Sequence, residues 1–200
     1  MDYQQLAARL PRDSFLRAVA KRRFARLPLW TGASLWLDAT PGPNVLTDAA
    51  GNFVAASSQY LSVTDASYNL TNAVSVVATV NRATAADCGI FEKTIGGTLN
   101  TQYLLYVQAG TAFARVVKGG FTQTVTGTTT IVAGTSFNLA LSYDGTTLRL
   151  YVNGVSEGTP VAVAAPIDGG SGAATVGILG GGTFPTNGQI ESVGVFAKGL

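Results

Sequence analysis

The sequence predicts an all-β fold, an antiparallel β-sandwich of the jelly-roll kind, preceded by a short basic α-helical N-terminal arm. Three observations carry this. From about Ser34 onward, apolar and polar residues alternate with a period of two in short runs rich in Val, Thr, Tyr and Phe. Gly, Asn and Asp turn signals separate these runs at spacings of about ten residues. No helical pattern intervenes between them, which argues against βαβ units and a parallel sheet.

The arm comes first in the chain. Asp2 can cap a short helix carrying Leu6 and Leu10, and Pro11 stops it. Asp13 or Ser14 can cap a second helix, whose apolar positions Leu16, Val19, Ala20, Phe24 and Leu27 fall at helical spacing before Pro28 ends it. Residues 1–30 hold seven basic side chains (Arg9, Arg12, Arg17, Lys21, Arg22, Arg23 and Arg26) against Asp2 and Asp13, a local net charge of +5. The remaining residues carry −3, so the overall +2 is a difference between unlike parts. The expected domains are therefore a basic amphipathic arm over 1–30 and a sandwich over 31–200. An amphipathic helix this short needs a partner for its apolar stripe. Three partners stay open: the protein's own sandwich, another protein (a sister subunit or a larger assembly), or a nucleic acid or membrane surface. Arg and Lys neutralise phosphates, but with few aromatics to stack on bases the nucleic-acid reading is disfavoured. The docking reading places the contact on Leu16, Arg17, Val19, Lys21, Arg22, Arg23, Phe24, Arg26 and Leu27.

Strands are expected at 34–37, 59–63, 74–80, 89–93, 102–107, 112–117, 122–126, 137–143, 147–152, 174–177 and 189–196. The register of one hairpin can be read directly. Phe137, Leu139, Leu141 and Tyr143 alternate with Asn138, Ala140 and Ser142, so the first set faces the core. Asp144-Gly145 turns the chain, Leu148, Leu150 and Val152 resume the alternation, and Asn153-Gly154 turns it again.

The composition excludes much chemistry. The chain has no His and a single Cys, so Ser-His, Cys-His and His-zinc schemes are absent, and Cys88 reads as a small buried hydrophobe. Asp87 and Glu92 are the nearest carboxylate pair in the sequence, and their setting at a turn entering a strand reads as structural. Asp144 and Asn153 read as turn formers, Glu191 as an exposed or locally hydrogen-bonded carboxylate, and Glu92 and Lys93 as rim charges. The glycine-rich stretches 168–172 and 180–182 lack a following Lys-Ser/Thr and a following helix, so they read as flexible or tight connections, not phosphate loops. The aromatics available to a ligand are Tyr60, Tyr68, Tyr103, Tyr106, Tyr151 and Phe184, about half of which should face the core. Phe184 reads as a plug over the end of the sandwich. No apolar run approaches the length of a membrane span, and the opening Met1-Asp2-Tyr3-Gln4-Gln5 does not read as a signal peptide.

The stretch Ala140-Leu141-Ser142-Tyr143-Asp144-Gly145-Thr146-Thr147-Leu148-Arg149-Leu150-Tyr151-Val152-Asn153-Gly154 resembles the signature hairpin of laminin-G-like, concanavalin A-like jelly rolls. Three further pieces follow the order of that family: Ser34-Leu35-Trp36-Leu37-Asp38-Ala39, Ala56–Val63 and Gly188–Phe196. The resemblance covers about residues 33–200, with departures at Ala78-Thr79 and at Phe137-Asn138-Leu139-Ala140, where relatives carry Trp. It implies a concanavalin A-like sandwich. Relatives that hydrolyse glycans carry a Glu-x-Asp-x-Glu strand, which this sequence lacks. Many laminin-G-like domains bind calcium at the sandwich rim, where about six to eight oxygens are needed. Asp65, Asp144 and Asp168 fall in expected loops, yet no Asp-x-Asp cluster concentrates them, so no cofactor is expected and calcium stays open without support.

The "LWLDA" opening is common in bacterial and phage members. It gives the leading expectation of a non-enzymatic phage virion protein: a capsid, collar or tail decoration made in the cytoplasm. Such a protein docks on other virion structural proteins, or on copies of itself, through the arm. A lectin-like module recognising a surface glycan is the alternative, compatible with the first. A coat protein whose arm binds genome is the third.

Overall fold

Residues 51–96 and 101–200 are described in a computed structural model. The arm, with Leu16, Arg17, Val19, Lys21, Arg22, Arg23, Phe24, Arg26 and Leu27, lies outside the described residues, as does the strand expected at 34–37. The described residues form twelve strands: β1 Gly51–Phe53, β2 Leu61–Val63, β3 Val74–Arg82, β4 Cys88–Thr94, β5 Thr101–Gln108 and β6 Thr111–Lys118, then β7 Phe121–Thr130, β8 Ser136–Tyr143, β9 Thr147–Val152, β10 Val155–Ala162, β11 Ala174–Val176 and β12 Gly188–Phe196. They make two six-stranded antiparallel sheets, ordered β1-β12-β3-β8-β9-β10 and β2-β11-β4-β5-β6-β7. The two sheets face each other as a sandwich. Among the described residues, no helix is long and apolar enough to cross a membrane.

The period-two pattern builds the core. Val74, Val76, Ala78 and Val80 of β3, Leu139 and Leu141 of β8, and Leu148 and Leu150 of β9 are fully buried from the first sheet. Tyr103, Leu105, Val107, Ala112, Ala114 and Val116 meet them from the second. Cys88 joins this core as expected. In β12 the inward residues Ile190 and Val193 are three apart, not two, because a bulge at Glu191 inserts an extra residue and restores the phase. Glu191 is thereby turned outward, where it accepts a hydrogen bond from Ser136 Oγ at 2.8 Å.

Two strands in the described residues have no counterpart in the sequence reading, β1 and β10. Strand β10 alternates poorly because it is an edge strand interrupted between Glu157 and Val161. It lies beside β7, the edge of the other sheet, and Glu157 joins the two. The Glu157 carboxylate accepts from Thr128 N–H at 2.8 Å, Thr129 N–H at 3.0 Å and the Thr129 hydroxyl.

The hairpins follow their turn residues. Asn153 and Gly154 both have positive φ and form the two-residue turn between β9 and β10. The turn between β8 and β9 is longer than Asp-Gly alone. Asp144 Oδ1 accepts from Thr146 and Thr147 N–H at 2.9 and 2.8 Å, and Oδ2 pairs with Arg149 at 2.5 Å. Between β6 and β7, Gly119 and Gly120 (φ 59° and 78°) make the turn, and both of their N–H groups donate to the Asp168 carboxylate at 2.6 and 2.8 Å. Phe121, immediately after that turn, is 75% exposed.

Candidate ligand-binding face

Strand β4 is buried along its whole length because both of its faces are covered. Its inward face meets the core. Its outward face lies under the segment 177–186, which docks by Gly177 N–H on Ile90 O, Gly89 N–H on Phe184 O and Thr186 Oγ1 on Gly89 O. This segment carries Leu179 and Phe184 onto the outer face of the second sheet, beside Leu104, Tyr106 and Phe113. Phe184 is therefore a plug, as expected, but on a face of the sandwich and not over its end.

The register of β5, β6 and β7 sets two neighbouring rows on this face. Leu104, Arg115 and Thr124 form one row, and Tyr106, Phe113 and Thr126 the next. Tyr106 is the buried floor, 3% exposed. Phe113 stacks on it at 4.9 Å between centroids and 17° between planes, and Phe184 at 6.0 Å and 26°. The Arg115 guanidinium sits 5.3 Å from the Tyr106 ring centre. It donates from Nη2 to the Tyr106 hydroxyl at 2.8 Å and from Nε to Thr124 Oγ1 at 3.1 Å. Burial raises the Tyr106 phenol above its ordinary range, with Arg115 opposing. The hydroxyl thus stays protonated at neutral pH and accepts from Arg115.

Phe113, Arg115, Thr124 and Phe184 are half-buried, and Thr122 and Thr126 are exposed. The face therefore offers two half-buried aromatic rings, one pinned guanidinium and a run of threonine hydroxyls. Phe113 and Arg115 were not singled out from the sequence. Their signal is the run Ala112-Phe113-Ala114-Arg115-Val116, where small residues face the core and large ones face outward, the reverse of an ordinary half-buried strand.

The other expected aromatics divide between core and surface. Tyr68 and Tyr103 are core, Tyr103 Oη donating to Tyr68 O at 2.7 Å, whereas Tyr60 is exposed and Tyr151 half-buried on the first sheet.

Glu92 and Lys93 are not rim charges. Glu92 is 3% exposed and Lys93 1%. Glu92 lies under the 177–186 segment and accepts from Thr101 Oγ1 at 2.5 Å and from Gly180 N–H. Lys93 donates to three backbone carbonyls. Asp87 stands at the turn entering β4, as expected, and accepts from Ala109 N–H at 2.7 Å.

The carboxylates considered for calcium do not fit that ion. Asp65 caps Ser67 N–H, Asp144 holds its own turn and Arg149, and Asp168 holds the Gly119-Gly120 turn. Each accepts from N–H donors. Hydrogen bonds from Ser67 lower the Asp65 carboxyl, and Arg149 followed by Thr146 holds Asp144 well below the usual range. Among the described residues, no group of three or more Asp, Glu or Cys side chains could hold a metal.

Comparison with known proteins places this geometry. No curated protein sequence matches the chain. Among solved structures, it is similar to domains LG4-5 of the mouse laminin alpha1 chain, with a TM-score of 0.60 and 10% identity over 78% of this chain and 44% of that one. It is also similar to the binding domain of Paraclostridial Mosquitocidal Protein 1, with a TM-score of 0.58 and 9% identity over 83% and 45%. The botulinum neurotoxin serotype G binding domain gives 0.56 and 10% identity over 85% and 45%. The chain thus spans less than half the length of each of these structures, and at such identities the likeness is one of fold. A family-level match covers residues 55–200, the two-sheet core together with the segment that carries Phe184, and by it the chain belongs to the concanavalin A-like lectin/glucanases superfamily, as a laminin-G-like jelly roll.

Proposed function

We propose that this chain is a non-catalytic carbohydrate-binding module that takes its saccharide on the outer face of β5, β6 and β7. The observation that carries this is the array of Tyr106, Phe113 and Phe184 with Arg115 fixed beside them. Apolar sugar faces pack on aromatic rings, and sugar hydroxyls take up the guanidinium and threonine groups. Membership of a lectin-containing superfamily supports the reading. So does the engagement of Asp65, Asp144 and Asp168 by N–H donors, which leaves no acid–base pair assembled from them.

A glycan array followed by titration calorimetry on the strongest hit tests the assignment. Phe113→Ala and Arg115→Ala should each weaken binding by about tenfold, corresponding to about 1.4 kcal/mol. Both variants lose contacts to Tyr106 and should melt below the parent, yet remain folded at the assay temperature. A flat array at high protein concentration, or full affinity in both variants, rules this face out.

The basic segment 1–30 supports a second level of the proposal: the module is displayed on a larger assembly, a phage virion, to which the arm docks. The charge division of +5 against −3 motivates it. Purified particles should contain the chain at fixed stoichiometry, and deletion of residues 1–28 should release it. Retention of the truncated chain in its assembly would end the docking assignment.

A further inference from the structure

Lys93 is buried near the end of β4, and among the described residues no carboxylate pairs with it. Its Nζ donates to Thr94 O at 2.7 Å, Gly172 O at 2.7 Å and Gly170 O at 3.1 Å. Three donors meet three acceptors, so the ammonium is fully satisfied. Among the described residues, the ion pair within 4 Å is Arg149 with Asp144, and Lys93 takes part in none. A buried charge held by carbonyl dipoles alone is the arrangement of a cation-binding loop, in which backbone oxygens replace water.

The loop is built to make this approach. A Cβ on Gly170 would come within 1.9 Å of Ile95 O, and one on Gly172 within 2.2 Å of Thr94 Oγ1. The glycines of 169–172 are thus places of close backbone contact. Gly172 N–H donates to Ile95 O at 3.0 Å, Thr94 N–H to Ala173 O at 2.9 Å and Gly170 N–H to Asn69 Oδ1 at 2.9 Å. These bonds fix the carbonyls independently of the lysine. The 2.7–3.1 Å distances are ordinary N–H···O lengths, so the three oxygens are spaced for an ammonium-sized, singly charged group.

We propose that the convergent carbonyls of Thr94, Gly170 and Gly172 form a monovalent-cation site that the chain fills with its own Lys93 ammonium. Removing that side chain makes the site take up potassium or ammonium from solution. The inference stands apart from the saccharide face and does not depend on it.

The test uses full-length Lys93→Ala beside the parent, melted at equal ionic strength in the chloride salts of ammonium, potassium, lithium and choline. In choline the variant should melt about 6–10 °C below the parent, because one buried and two part-buried carbonyls lose their donor. Ammonium and potassium should restore at least about half of that loss, and lithium and choline should not. The parent should be indifferent to the choice among them. Equal response of the variant to all four salts, or no loss in choline, overturns the proposal. Should Lys93→Ala fail to fold, reductive methylation of the native parent decides: Lys93 should resist while Lys118 reacts. Methylation of Lys93 as fast as Lys118 overturns the proposal equally.

Discussion

Glu157 offers the sharpest test of how the two sheets are held together. Its carboxylate, on β10 of the first sheet, accepts two N–H groups and a hydroxyl from Thr128 and Thr129 of β7 in the second. Glu157→Ala removes all three acceptor contacts and leaves two edge-strand donors to water. A hydrogen bond to a charged group contributes about 1.5–3 kcal/mol. The site is half-buried and water recovers part of the loss, so the net cost should be near one such bond, about 2 kcal/mol. For a chain of this size each kcal/mol moves the melting temperature by about 2–4 °C, giving a fall of about 4–8 °C. Burial alone would raise the Glu157 carboxyl, but the bonds from Thr129 and Thr128 outweigh it and hold the group below its ordinary value. A depressed carboxylate stabilises the fold above its unfolded value of about 4.3, and that contribution is lost as pH falls through the folded value. The gap between parent and variant should therefore be full at pH 7 and close in acid. Thermal unfolding at several pH values, with amide exchange read at Thr128 and Thr129, provides the measurement. A variant that melts within about 1 °C of the parent, with exchange at both amides unchanged, refutes the role of Glu157 as the link between sheets.

Three further outcomes are expected. Asp144 should titrate well below an ordinary aspartate in a carboxyl NMR titration, and Arg149→Ala should move it upward, since Arg149 is the largest cause of the shift. Tyr103→Phe leaves the buried Tyr68 carbonyl without its 2.7 Å donor, and chemical denaturation should report a loss of about 1–2 kcal/mol with the m-value unchanged. Burial pushes the Cys88 thiol up to about 11. It should therefore ignore alkylating reagents at pH 8 until the chain unfolds, and its share of stability should fade as pH rises beyond about 8.5, where the unfolded thiol ionises.

Most of the sandwich was readable because alternation and turn chemistry agreed. The β8–β9–β10 turns at Asp144 and Asn153 stand where the Asp-Gly and Asn-Gly pairs predict, and the inward set from Phe137 to Val152 is the core-facing set. Strand β10 escapes this reading because its partners among the described residues are unusual: one neighbour in its own sheet and, through Glu157, an edge of the other. Alternation records burial, and an edge strand with an irregular register has little of it. Glu92 and Lys93 were misplaced for a related reason. A charged pair near a strand end is exposed by default, and here the long-range return of residues 169–186 packs over it. The ligand face was half legible. Tyr106 and Phe184 stood out as aromatics, but their convergence with Phe113 and Arg115 depends on strand register and on a loop 70 residues downstream.

The bracket that Asp168 forms around Gly119 and Gly120 bears on how this end of the molecule meets other surfaces. The same segment is anchored on Val117 O by Asp168 N–H, and Lys118 Nζ reaches back to Pro166 O. Phe121 therefore stands at the end of a braced turn with its ring in solvent. Association ordinarily costs entropy for each side chain and loop that it freezes. At this tip the backbone is already ordered, so a surface that packs against the Phe121 ring has only one side chain left to immobilise.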